Sequence, residues 1–259
     1  MENKFFPGFD INYTTNPLGF TYGDETFGPI VENRSLNDIR TSLRNPKSDG
    51  PEIVYSIAMD VGKKKHLDIL KEKMLLFGTV TYAAGRLGDE PIRSQGHIHA
   101  VSNHSGWSPP EIYEIWQGEA IIYMQETAKD NPGKCYAVHA KPGVVVVPPN
   151  WAHATISANP SVALTFGAWC DREYSFEYDD VRARKGLAWY PILNESQIEW
   201  EHNAYYETVE LIQKTPNDYS FLGIKKGIPI YEQFENDPDL FQFVSKPYLQ
   251  ETIWKNFIP

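Results

Sequence analysis

The chain has 259 residues and a formal net charge of −10, from 24 Lys and Arg against 34 Asp and Glu. No basic cluster offers the counter-charge that a phosphate backbone requires, so nucleic acid is excluded as a partner. Hydrophobic residues make up 41% of the chain and aromatic ones 14%, enough for a packed core, which excludes a disordered chain.

The segment MENKFFPGFDINYTTNP lacks the apolar stretch of a signal peptide, and no run is long enough to cross a bilayer. The expectation is a cytoplasmic protein without a membrane partner. Cys135 and Cys170 stand far apart and outside any CxxC pattern, so two buried thiols are expected rather than a disulfide.

Residues 1–49 read as an N-terminal arm ending in a short helix, RSLNDIRTSL, with Ser35 as its N-cap and Asp38 in the capping-box position. After the turn-rich linker NPKSDGPE the texture becomes β. The segments IVYSIAMDV, GTVTYAAG, PIRSQGHIHA, EIYEIWQGEAIIYMQE, KCYAVHA, GVVVVPP, HATISA and SVALTFGAWC follow one another with turn formers between most of them. Among them KKKHLDILKEKMLLF predicts a helix with Leu67, Ile69, Leu70 and Met74 roughly on one side.

Crossover helices do not alternate with these strands, so a mainly β sandwich or barrel over residues 50–185 is expected rather than an α/β sheet. Residues 186–259 read as a mixed extension within the same structural domain. In it NAYYETVELIQKT predicts a helix, and the aromatic, Pro-broken remainder is too apolar for a free tail. It is expected to pack on the barrel or on a partner subunit.

The chemistry concentrates between Ser94 and His153. In GHIHA, His97 and His99 are two residues apart, which in a strand places both rings on one face. In EIYEIWQG, Glu111 and Tyr113 share a face, Glu114 has the opposite parity, and Gly118 marks a turn. His153 follows the run GVVVVPPNWA, a buried strand closed by two prolines. Three imidazoles and one carboxylate form a mixed N/O set suited to divalent Fe, Mn, Ni, Co or Zn. His104 sits in a Ser/Gly/Asn-rich loop and is expected in solvent; His66, His139 and His202 lack comparable partners.

GHIHA, EIYEIWQGEA and KPGVVVVPPNWAHATIS together resemble the two motifs of the cupin superfamily, and more closely the cupin-type glucose-6-phosphate isomerases, over roughly residues 50–180. The resemblance implies a cupin barrel (double-stranded β-helix, jelly roll) with N-terminal additions and a C-terminal extension, in a homodimer. It implies one divalent metal ion per chain, Fe2+ with Mn2+, Ni2+, Co2+ and Zn2+ as alternatives, held by His97, His99, Glu111 and His153.

It also implies that Glu111 is catalytic and that Tyr55, Thr79, Ser94, Gly96 and Tyr113 bind a sugar phosphate. The implied reaction interconverts glucose 6-phosphate and fructose 6-phosphate by proton transfer through an enediolate, with a hydride shift as the mechanistic rival. Tyr174 and Tyr178, in EYSFEYDD after the barrel, are candidates to close over the sugar, with plain surface aromatics as the equal alternative.

The pattern departs from the family in the long loop AVSNHSGWSPP, in Asn150 where Gly is usual, in the spacing of a later Asn, and in the C-terminal extension. Asn tolerates the left-handed backbone that Gly supplies. The loop is expected to overhang the barrel mouth. Two other readings use the same residues: a cupin oxygenase with a 3-His-1-Glu iron site, and a sugar-phosphate-binding cupin without turnover.

Overall fold

The computed structural model describes residues 6–195 and 197–259. Two sheets form its body. The larger is built from β1 (Glu32–Ser35), β2 (Ile53–Met59), β3 (Leu75–Tyr82), β4 (Glu111–Gln117), β7 (Gly143–Val147) and β9 (Leu164–Asp171), in the spatial order β7-β4-β9-β3-β2-β1 and antiparallel throughout. The smaller contains β5 (Ala120–Gln125), β6 (Cys135–Ala140), β8 (Ala152–Ser157) and β10 (Leu211–Lys214), ordered β8-β5-β6-β10.

The inward faces of both sheets meet in one apolar interior. Tyr55, Tyr82, Tyr113, Ile115, Phe166 and Cys170 from the larger sheet pack with Ile122, Met124, Tyr136 and Val138 from the smaller. The chain runs from sheet to sheet through the β4–β5 and β6–β7 connections, so the two sheets close as a jelly-roll barrel. The mainly β architecture expected from the sequence is therefore present.

The larger sheet is buried on its outer face as well. Phe77, Ile112, Trp116, Val146 and Trp169 point out of the barrel and pack against Tyr219, Ile230, Tyr231, Phe234 and Phe241 of the C-terminal segment. Trp169 is fully buried and lies against Tyr231 and Phe241 in stacked geometry. Covering both faces removes the polar side of the outward alternation, which is why β9 is buried from end to end.

Several local expectations meet the structure directly. Ser35 caps α1 (Leu36–Ile39), and Asp38 closes the capping box by accepting from the Ser35 backbone. Cys135 and Cys170 are free and buried. Asn150 adopts φ +69°.

Two helix expectations are corrected. The helix read over KKKHLDILKEKMLLF is only α2 (Leu67–Glu72), which ends where Met74 enters φ +54° and Leu75 begins β3. Burial of Leu75, Leu76 and Phe77 on both sides of a sheet outweighs their helix propensity. The helix read over NAYYETVELIQKT is instead a turn followed by β10, which pairs in parallel with β6. The open edge of β6 supplies backbone partners that a local helix would have had to find within itself.

No helix among the described residues is long and apolar enough to cross a membrane.

Candidate functional site

The site is assembled where a short segment crosses β8. Ser94 N–H donates to the Thr155 carbonyl at 3.0 Å, and His97 and His153 exchange backbone hydrogen bonds of 3.0 and 2.9 Å. Ile98–His99 then pairs with Phe176–Glu177, so the His-x-His run lies between two neighbours. Arg93 anchors the approach to this segment. Its buried guanidinium donates to Glu90 Oε2 at 2.7 Å and to the Ser42 carbonyl at 2.6 Å.

Gly96 adopts φ +87°, a conformation L-residues rarely take, and a Cβ there would meet Leu187 Cδ1 at 2.9 Å. This turn sets the direction of His97.

His97, His99, Glu111 and His153 offer one donor atom each, and the four atoms lie within 4.8 Å of one another. Glu111 faces inward from β4 with Tyr113, and His153 faces inward from β8, opposite Met124 of β5. Glu111 Oε2 is 3.2 Å from the Nε2 atoms of both His99 and His153. Neighbouring donors sit at about that separation around an ion with bonds of about 2.0–2.2 Å.

The ring tautomers fit a metal ion. His99 Nδ1 donates to the Pro109 carbonyl at 2.9 Å and His153 Nδ1 to the Trp151 carbonyl at 3.0 Å. A carbonyl only accepts, so in the neutral rings both Nε2 lone pairs point into the cluster. There they face a carboxylate oxygen, an arrangement that calls for positive charge between them. The Nε2 atoms of His97 and His99 are buried and hydrogen-bond to no described residue; at His99 the 3.2 Å approach to Glu111 lacks hydrogen-bond alignment. The four side chains are thus able to hold a metal ion.

The electrostatics agree with this. Burial, with His153 and His99 beside it, holds the His97 imidazole well below its ordinary value, which keeps it a neutral donor. Burial acts to raise Glu111, but the contacts with His153 and His99 outweigh it and hold the carboxyl well below the usual range. Burial acts to lower His99, and Glu111 more than offsets it. Both directions describe an anionic carboxylate facing rings that gain from positive charge.

The two oxygens of Glu111 keep different company. Tyr113 Oη donates to Oε2 at 2.6 Å, and Cys170 Sγ donates to Oε1 at 3.2 Å. Burial, followed by the Glu111 charge, pushes both the Tyr113 phenol and the Cys170 thiol well above their ordinary values, so both remain donors.

Of the other positions singled out in the sequence, Tyr55 faces the barrel interior, its ring centroid 4.9 Å from that of Tyr82. The Ser94 hydroxyl accepts from Thr155 N–H at 3.1 Å. Thr79 requires correction. It alternates with the inward Val80 and Gly78, pairs with Ala58 and Gly167, and faces the outer side with Phe77, away from Tyr113. Its hydroxyl is buried there and hydrogen-bonds to no described residue.

Glu114 points out of the barrel, where it accepts from Trp116 Nε1 at 2.7 Å and from Ile230 N–H at 3.0 Å. His104 is exposed, and its backbone N–H donates to Glu173 Oε2 at 2.9 Å. The loop that carries it is pinned: Ser108 Oγ donates to the His99 carbonyl at 2.7 Å and accepts from Asn150 N–H at 3.1 Å.

The structure adds Phe176 to the surroundings of the cluster and Tyr82 beside Tyr55. Phe176 packs against His97 and His99, at centroid distances of 4.5 and 5.5 Å. Tyr178, which had been singled out, lies edge-on to His97 at 6.0 Å. The alternation in EYSFEYDD could have flagged Phe176 as a companion of Tyr174 and Tyr178.

Comparison with known proteins adds the family. Among curated relatives, the glucose-6-phosphate isomerase of Thermococcus litoralis is 27% identical over 184 residues, covering 66% of this chain and 87% of that protein. The enzyme of the same name from Sinorhizobium medicae is 31% identical over 83 residues, 32% of this chain and 35% of that one.

Among solved structures, hazelnut vicilin aligns at TM-score 0.36 with 11% identity, over 50% of this chain and 33% of that one. Oxalate decarboxylase from Bacillus subtilis aligns at 0.34 with 16% identity, over 51% and 28%. The family model described as glucose-6-phosphate isomerase (GPI) matches residues 38–208, well over half of the chain and all four members of the cluster. The chain belongs to the glucose-6-phosphate isomerase family.

Proposed function

We propose that the protein is a metal-dependent glucose-6-phosphate isomerase, interconverting glucose 6-phosphate and fructose 6-phosphate by proton transfer through an enediolate. The observation that carries this reading is the three-histidine, one-glutamate cluster, with His99, Glu111 and His153 buried, inside a chain of that family. A divalent ion bound there supplies positive charge against the negative oxygens of the enediolate. Fe2+ is the favoured ion, with Mn2+, Ni2+, Co2+ and Zn2+ as the alternatives the donor set admits.

Aldose–ketose exchange moves a proton between C2 and C1, so one base must reach both carbons. Glu111 is assigned that role. Its Oε2 lies toward the imidazoles, while Oε1, which among the described residues accepts from the Cys170 thiol alone, is assigned as the oxygen that carries the proton. Tyr113 holds the carboxylate in place through Oε2. Tyr55, Ser94, Gly96 and Tyr113 line the sugar, and Phe176 and Tyr178 keep water from the reacting carbons.

The assignment of a cytoplasmic homodimer accords with two buried free thiols and with the family resemblance.

A coupled assay of fructose 6-phosphate conversion tests the reading, run before chelation, after chelation, and after adding back single metals. Activity lost with the metal and restored by one of them supports it. Full activity in metal-free protein, or oxygen consumption in place of isomerisation, overturns it.

A further inference from the structure

Cys170 is buried on the inner face of β9, and its thiol donates to Glu111 Oε1 at 3.2 Å. Sheet register fixes this contact. β4 and β9 run antiparallel with Ile112 opposite Trp169, so the next pair along sets Cys170 directly across from Glu111. Such cross-strand neighbours have Cβ atoms about 4.5–5.5 Å apart. A side chain with a single rotatable bond therefore meets the carboxylate without a long, adjustable stem.

Each oxygen of Glu111 then has its own holder. Tyr113, two residues on in the same strand, donates to Oε2 at 2.6 Å on the side of the imidazoles, and Cys170 holds Oε1 from the neighbouring strand. One donor fixes one end of a carboxylate and leaves its plane free to turn about the Cγ–Cδ bond. A second donor on the other oxygen fixes the plane.

A thiol is a weak donor, and a carboxylate oxygen has a second lone pair. Oε1 can thus accept from Cys170 and still take a proton from carbon. A charged donor in the same place would bind the carboxylate about twice as strongly and oppose that transfer. Cys170 lies outside the four-residue cluster, whose buried, unpaired Nε2 atoms at His97 and His99 mark it as a ligand site on separate grounds.

We propose that Cys170 is a positioning residue for the isomerase reaction, its thiol aiming Glu111 Oε1 at C2 and C1 of the sugar in turn while Tyr113 holds Oε2. Toward fructose 6-phosphate the C2–H bond breaks as Oε1–H forms, and Oε1–H breaks as C1–H forms, with the hydroxyl proton passing separately from O2 to O1. Cys170 keeps its own proton throughout. The proposal rests on the isomerase reading for the role of Glu111 as base.

The test compares the metal-loaded parent with C170A and C170S in the coupled assay. Ala and Ser differ by one hydroxyl, so the pair separates the donor from the volume. The expected kcat for fructose 6-phosphate in C170A is roughly 10–100-fold below the parent, the scale on which a misplaced group slows catalysis. KM and metal content stay within about twofold of the parent. C170S, which restores a donor, recovers most of the loss. The hydrogen bond itself is read from the infrared S–H stretch, isolated by subtracting the spectra of C170S and of C135S from that of the parent. Cys135 reaches only the Gly133 carbonyl, at 3.8 Å, so the Cys170 band is expected at the lower frequency.

A kcat in C170A within about twofold of an active parent overturns the proposal. So does an equal loss in C170A and C170S, which makes volume the cause, or a loss that follows a loss of metal. A Cys170 band at or above that of Cys135 overturns it as well. A metal-loaded parent without isomerisation removes the isomerase reading itself, and Cys170 then has no base to serve.

Discussion

His97 and His153 exchange two backbone hydrogen bonds, of 3.0 and 2.9 Å, and their rings lie 4.4 Å apart. The pairing that joins the His-x-His segment to β8 is thus the same contact that brings the imidazoles together. The candidate metal donors and the local fold are one structure here, and the geometry does not depend on long, mobile side chains.

Replacing either residue tests this. His97→Ala and His153→Ala are each expected to lower bound metal and isomerase rate together, by at least about 100-fold in activity, since even outer partners of metal ligands are worth roughly 10–100-fold. Metal analysis of the purified variants alongside the coupled assay is the measurement. A variant that loses metal and keeps its rate would remove the metal from the reaction.

Tyr113→Phe removes the 2.6 Å hydrogen bond to Glu111 Oε2 and leaves the ring in the core. Activity is expected to fall roughly 10–100-fold while the thermal midpoint changes little. A rate equal to that of the parent would mean that the hydroxyl does not position the carboxylate.

Glu114 provides a pH signature outside the site. Burial pushes its carboxyl up to about 7, against the opposing hydrogen bonds from Trp116 and Ile230 N–H, and no charged group is among the causes. The folded protein therefore holds a proton that the unfolded chain releases at its ordinary value. The resulting stability is fully present below that ordinary value and is lost as pH rises through about 7. The amount is on the order of 3 kcal/mol. Thermal midpoints of the parent minus those of Glu114→Gln, compared at pH 5 and pH 8, are expected to fall with rising pH. A difference independent of pH would refute the raised carboxyl.

Asn150 holds φ +69° beside the site, with its N–H on Ser108 Oγ. Asn150→Gly is expected to be nearly neutral. Asn150→Val should cost about 1–2 kcal/mol, because a β-branched residue resists the left-handed region. Denaturant unfolding of both variants measures the difference, and equal stability would show that the backbone relaxes at this point.

What the sequence by itself determined is what depends on short-range geometry. The period of two in a strand put His97 with His99 and Glu111 with Tyr113, and turned Glu114 away. Ser35 and Asp38 closed a capping box because the spacing of the box is local. Asn150 took the left-handed turn because its own side chain tolerates it. The quartet of His97, His99, Glu111 and His153 that could hold a metal was legible for the same reason, each member being marked by its immediate neighbours.

Tertiary structure decided the rest. With the larger sheet buried on both faces, the polar side of the alternation disappears, and nothing in GTVTY says whether Thr79 or Val80 looks inward; the register with β2 and β9 does. The open edge of β6 turned Leu211–Lys214 into a strand where the sequence alone read as a helix. Arg34, Gln95 and Arg182 carry no local mark at all, although Tyr178 beside them does. They meet because three distant segments close over the barrel mouth, and only closure of the chain brings such charges together.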